Sequence, residues 1–140
     1  MVVIDASAML TWCFADERAK NADVLLKRMV GEGMAAPSNF PLEVVNTLRV
    51  GERRKRITPP QAAAFIALVE ALRIDIDLET PLRAWSDIRL LSLREELSAY
   101  DAAYLELALR RRAALATFDK GLLKAARANK VPVIEVGSPR

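Results

Sequence analysis

One hundred and forty residues, 52% of them apolar, suit one domain built on a single core. There is no histidine, which excludes Ser-His-Asp and Cys-His catalysis and any His-ligated zinc site, and the single Cys13 cannot close an intramolecular disulfide. Any hydrolytic chemistry must therefore use carboxylates, or water activated by an oxygen-ligated divalent cation, in a chain whose net charge is only +3.

The N-terminal MVVIDAS carries an acid where a signal peptide would be basic and then apolar, and no apolar run reaches the length of a membrane span. Both features lead us to expect a cytoplasmic protein that does not enter a membrane. Val2, Val3 and Ile4 predict a strand at 2–5 ending on Asp5, with Ser7 placed to cap the helix that follows, over Ser7 to Phe14. A second helix is predicted from Glu17 to about Val30, with Ala22, Leu25, Leu26 and Met29 facing inward and Gly31 and Gly33 stopping it. Met34 to Ala36 then reads as a short strand.

Ser38 or Asn39 opens the next helix, with Pro41 in its first turn, Glu43 two residues on, and Leu42, Val45 and Leu48 as its apolar stripe. Thr58-Pro59-Pro60 begins its neighbour, so Arg53, Arg54, Lys55 and Arg56 lie at the tip of a helical hairpin. The alternation Ile74-Asp-Ile-Asp-Leu78 predicts a strand with Asp75 and Asp77 outward, and Thr80-Pro81 starts a helix carrying Trp85, Ile88 and Leu91. Trp12 and Trp85 both read as core.

The most informative stretch runs from Leu97 to Ala126. Ser98-Ala-Tyr-Asp101 has the spacing of a capping box, which places Asp101 in the first turn of a helix ending at Arg110, Arg111 and Arg112. Ala113 to Phe118 is a short apolar run of the kind that forms a buried strand, and Asp119 stands at its carboxyl edge, before Lys120-Gly121 and another helix. Val131 to Val136 supplies a last strand. Strands and helices thus alternate five times, the pattern of a parallel α/β sheet covered on both faces, with 1–137 as one domain and 138–140 as a loose tail.

Asp5 and Asp119 end predicted strands, and Glu43 and Asp101 open predicted helices. In open parallel sheets these positions gather at one rim, where ligands bind. At about 4 Å a pair of like charges costs on the order of 4 kcal/mol at an effective dielectric near 20, so four converging acids call for a neutralising cation. A divalent ion would neutralise them and acidify a bound water, which is the chemistry of phosphodiester hydrolysis. Thr117 and Ser7 each lie two residues from an acid and are placed to orient a ligand or water. The basic runs 53–56 and 110–112 suit phosphate contacts, or helix ends whose cations complement the dipole.

The segments VVIDASAML, PLEVVNTL, LSAYDAAYLELA and LATFDKGLLKAA together resemble PIN-domain ribonucleases, specifically the VapC-type toxins of toxin–antitoxin pairs. The resemblance implies a five-stranded parallel sheet flanked by helices and a pocket in which Asp5, Glu43, Asp101 and Asp119 bind Mg2+ or Mn2+, with Thr117 and Ser7 assisting. It further implies RNA cleavage, homodimerisation and neutralisation by a cognate VapB-type antitoxin. Residues 53–56 and 110–112 are not part of the family's motif; RNA binding by them is a separate expectation. Two rivals are a noncatalytic RNA- or protein-binding module on the same fold and a phospho-receiver domain. The receiver needs paired acids after the first strand, where Asp5 stands alone.

Overall fold

A computed structural model describes residues 1–14 and 22–135. Five strands, β1 (Val2–Ile4), β2 (Met34–Pro37), β3 (Asp75–Asp77), β4 (Ala114–Thr117) and β5 (Val133–Glu135), form one parallel sheet in the order β3-β2-β1-β4-β5. Central β1 pairs Val3 with Ala35 on one side and Leu115 on the other. Val2, Val3, Ile4, Ala35, Ala36, Leu115 and Ala116 have no exposed surface at all. Strands covered on both faces need continuous apolar runs rather than alternation, and these segments have them.

From β1 the chain builds outward to β2 and β3, then crosses back to lay β4 on the other side of β1. The strand order reverses at the β1–β4 boundary, and an open parallel sheet leaves its crevice at the carboxyl ends of strands on either side of such a reversal. A receiver-type sheet follows the order 2-1-3-4-5, so the topology also removes the receiver reading.

The helices are α1 (Ala6–Leu10), α2 (Ala22–Glu32), α3 (Phe40–Arg53), α4 (Pro59–Ala71), α5 (Thr80–Arg83), α6 (Arg89–Glu95), α7 (Ala99–Arg111) and α8 (Lys120–Ala128). The expected start of α2 at Glu17 falls outside the described residues. The helix runs past Gly31 and stops at Gly33, whose φ of +84° is open to glycine at little cost. Thr58 caps the start of α4 with a full capping box to Gln61. Helix α7 is the most enclosed: Ala102 to Ala108 are all buried as it crosses β1, β2 and β4.

Several expected side-chain orientations are corrected. Helix α3 buries Phe40, Val44 and Leu48 while Leu42 and Val45 are exposed, because the helix packs along the i, i+4, i+8 row rather than the i, i+3 row. Trp85 is 85% exposed rather than core. Between α5 and α6 the chain makes one π-helical turn, Ala84–Ile88, whose extra residue shifts the phase so that Ile88 and Leu91 point inward and Trp85 outward. Asp77 is 2% exposed rather than solvated, because Arg110 and Arg111 reach across from the end of α7 and pair with it.

Candidate active site

The first acid follows β1 directly. Asp5 caps α1, its Oδ1 accepting the Ala8 N–H at 2.8 Å and the Ser7 hydroxyl at 2.7 Å. Its Oδ2 accepts the Thr117 hydroxyl from the end of neighbouring β4. Those three bonds leave about one of the carboxylate's four acceptor positions for a ligand. The side chain is 3% exposed, and burial pushes its pKa up to about 6 against the lowering pull of Thr117, Ala8 and Ser7, with Asp101 adding to the rise.

The second acid follows β4. Asp119 caps α8, its Oδ1 accepting the Leu122 N–H at 2.8 Å, and its own N–H donates to Thr117 Oγ1 at 3.0 Å. The Phe118 N–H donates to Ser7 Oγ at 3.2 Å, so Ser7 and Thr117 lace the two strand ends together. Gly121 keeps the first turn of α8 clear, since a Cβ there would lie 3.3 Å from Asp119 Oδ1. Thr117 is wholly buried behind Asp5; its place is to hold acids rather than to touch a ligand.

The two remaining acids come from helix first turns. Asp101 lies one residue beyond the enclosed part of α7, its N–H held by the Ser98 hydroxyl at 3.1 Å. Burial raises its carboxyl pKa, and Asp119 and then Glu43 raise it further, against the Ser98 hydrogen bond. Glu43 Oε2 accepts the Tyr104 hydroxyl at 2.6 Å and Asn39 Nδ2 at 2.7 Å, while the Thr47 hydroxyl bonds the Glu43 carbonyl at 3.0 Å. Burial, the Glu43 charge and the Tyr104–Glu43 hydrogen bond hold the Tyr104 phenol well above its ordinary range, so it donates and does not serve as a base.

Asp5, Glu43, Asp101 and Asp119 thus line one cleft of about 400 Å³, with Ser7, Tyr104 and Phe118 between them. The same cleft is lined by Leu10, Phe14, Asn46, Thr47 and Arg56. Among the described residues no three acids or cysteines converge into a closed metal cage; Asp5, Glu43 and Asp119 each spend carboxylate oxygens on protein donors. The donor set is nonetheless of one kind. Carboxylates and hydroxyls without a nitrogen or sulfur ligand among them suit magnesium or manganese rather than zinc or copper, and the residues fit such an ion chemically.

The PIN domain profile matches residues 2–128. The chain belongs to the PIN domain family. PIN domains are generally nucleases, and the acids of this PIN domain stand at the reversal of its sheet. Comparison with curated proteins returned no match. Among solved structures, PAE2754 from Pyrobaculum aerophilum is similar with a TM-score of 0.72 at 20% identity, over 96% of this chain and 88% of that one. FitAcB from Neisseria gonorrhoeae is similar with a TM-score of 0.59 at 18% identity, covering 96% of each chain. FitAB bound to an IR36 DNA fragment gives 0.55 at 18% identity, over 96% of this chain and 94% of that one. At these identities the likeness is one of fold.

The expected RNA-binding residues separate. Arg56 lines the cleft, while Arg53 ends α3 and Arg54 and Lys55 lie exposed beside it. Arg110 pairs with Asp77, Glu79 and Glu106, and Arg111 with Asp75 and Asp77. Arg110 also lies nine residues along α7 from Asp101, roughly 14 Å at the helical rise. Arg112 is the exposed left-handed cap of that helix. Sequence reasoning missed Tyr104 and Asn39, the two donors that fix Glu43. Tyr104 lies three residues after Asp101, on the same helix face, and Asn39 four before Glu43, spacings that would have pointed to both.

Proposed function

We propose that this PIN-domain protein is a metal-dependent endoribonuclease toxin of the VapC type. The observation that supports it most is the meeting of four acids from four separate elements in one cleft at the carboxyl ends of β1 and β4. Asp5 and Asp119 cap helices, a task that neutral Ser, Thr or Asn performs as well, so capping does not call for four like charges, whose mutual repulsion is a standing cost.

Asp5, Asp101 and Asp119, with Glu43, would hold Mg2+ or Mn2+. The ion, when bound, supplies the positive charge that offsets these carboxylates and acidifies water for attack on a phosphodiester. Thr117 holds the Asp5 carboxylate and the Asp119 backbone N–H, and the Leu122 N–H holds the Asp119 carboxylate, so both acids are fixed before an ion arrives. In the metal-free site burial, Asp119 and Glu43 make Asp101 reluctant to carry its charge, which is the repulsion a bound cation would relieve. Glu43, oriented by Tyr104 and Asn39, is the fourth carboxylate of the cleft.

A VapB-type antitoxin and a homodimer complete this reading. FitAB, similar in fold, was solved as a complex on DNA. The exposed Leu78, Leu82, Trp85 and Leu90 give this chain apolar surface suited to a protein partner. No described helix is long and apolar enough to cross a membrane. The test is cleavage of RNA by the purified protein with and without metal, beside Asp101→Asn.

A further inference from the structure

We propose that Asn46 reads the ribose 2′-hydroxyl of a nucleotide flanking the cut, and so makes the cleft select RNA over DNA. The assignment rests on the nuclease reading and adds to it the source of sugar specificity.

Water attacking a phosphodiester makes no use of the 2′-hydroxyl, so four acids with a divalent ion act on RNA and DNA by the same chemistry. A preference for RNA has to come from a group that recognises the 2′-hydroxyl, which is at once a donor and an acceptor. The acids cannot match it alone, because an ionised carboxylate only accepts. Of the neutral polar side chains that line the cleft, Ser7 has given its hydroxyl proton to Asp5, Tyr104 to the Glu43 carboxylate and Thr47 to the Glu43 carbonyl. Asn46 remains. It stands exposed in the cleft, and among the described residues its carboxamide has no hydrogen-bond partner.

The place of Asn46 on α3 sets what it can reach. It follows Glu43 by three residues, which puts the two side chains on one helix face, about 5–6 Å apart at Cβ. Tyr104 and Asn39 hold Glu43, and buried Val44 and Leu48 anchor α3 beneath, so the backbone of Asn46 stands at a fixed offset from the acids. A phosphodiester lying at the acids brings the sugar on one of its sides to that offset. There the amide can donate to the 2′-oxygen or accept its proton, whichever way the hydroxyl is turned, and deoxyribose offers neither bond. The contact is also neutral, so it adds no charge to a cleft that already carries four carboxylates.

The test is steady-state cleavage, with Mn2+, of an oligoribonucleotide carrying the mapped cut and of versions in which a single nucleotide beside the cut is 2′-deoxy. In the wild type one of these deoxy positions should lower kcat/KM about fivefold, the worth of one hydrogen bond. Asn46→Ala should lower kcat/KM on the all-ribose strand by the same factor and lose nothing further on that deoxy strand. Its urea midpoint and Mn2+ half-saturation should match the wild type, since the carboxamide holds no other described residue in place. Arg28→Ala, which removes a charge paired with Glu32 on α2, should keep the wild-type discrimination. An Asn46→Ala variant that matches the wild type on the all-ribose strand, or that still loses fivefold on the deoxy strand, overturns the sugar reading alone. So does a wild type that cuts RNA and every deoxy strand equally well. A wild type that cuts no RNA with Mg2+ or Mn2+ overturns the nuclease reading with it.

Discussion

The Thr117 hydroxyl donates to Asp5 across the boundary of the two central strands, and its oxygen accepts the N–H of Asp119. A single wholly buried side chain therefore ties together the acids that end β1 and β4. The strand pairing makes this possible: Ile4 lies beside Ala116, so the next residue of each strand emerges at the same level of the rim.

Thr117→Val keeps the shape and removes both bonds. It leaves a buried Asp5 oxygen and the Asp119 N–H short of a partner, so unfolding in urea should show a loss of about 1–3 kcal/mol, and cleavage should fall with it. Thr117→Ser should restore most of both. A valine variant as stable and as active as the wild type would show that the hydroxyl does not organise the acids.

Two buried acids give the metal-free protein an unusual pH dependence. Asp5 is raised to about 6 in the folded chain from 3.8, so between those values the folded state holds a proton that the unfolded state has lost. Stability therefore falls as pH rises through that window, by roughly 3 kcal/mol for Asp5 alone, and Asp101 is shifted in the same direction. Asp77 behaves oppositely: burial raises it, but Arg110, Arg111 and Thr80 outweigh that and hold it at about 2. Its contribution is present above its unfolded value and lost as pH falls toward 2. In EDTA, urea midpoints should peak near about pH 4, and Mg2+ should raise the midpoint at about pH 7 far more than at pH 4, where protons compete for the same oxygens. A Mg2+ effect equal at both pH values would contradict this.

Arg110→Ala should destabilise by about 3 kcal/mol, the low end for a broken buried pair, because Arg111 and Thr80 still reach Asp77. RNA affinity of the folded variant should be unchanged, since this guanidinium is committed to Asp77, Glu79 and Glu106. A drop in affinity with stability intact would return Arg110 to an RNA-binding role.

The order of elements and the positions of the acids were legible in the sequence because each rests on local chemistry. Ser98 caps α7 through the Asp101 N–H, Asp119 caps α8, and Val2 to Ile4 could only be a covered strand. What was not legible depends on contacts distant in the chain. Asp77 looked like the outer face of a strand, and only the arrival of two arginines from α7 explains its burial. Trp85 looked like core because helical spacing assumes a uniform period, which the π turn breaks. The basic cluster 53–56 reads as one run in the sequence; that Arg56 lines the acidic cleft over the Phe14 ring depends on contacts distant in the chain.

Tyr104→Phe tests the orientation of Glu43. Asn39 remains to hold the carboxylate, so cleavage should fall about tenfold rather than vanish, comparable with one lost hydrogen bond to a charged group. The alkaline limb of the pH–rate profile should not move, because the phenol keeps its proton throughout the working range. A shifted limb would mean that Tyr104 takes part in proton transfer.

The central claim is that the four acids make a metal-dependent ribonuclease, and the most direct measurement is cleavage of total cellular RNA by the purified protein with Mg2+ or Mn2+, with the cut ends mapped. Discrete cuts that disappear in EDTA and in Asp101→Asn, while the variant keeps its fold, are the expected result. Cleavage that persists in Asp101→Asn, or no cleavage above that variant with either metal, would contradict the account.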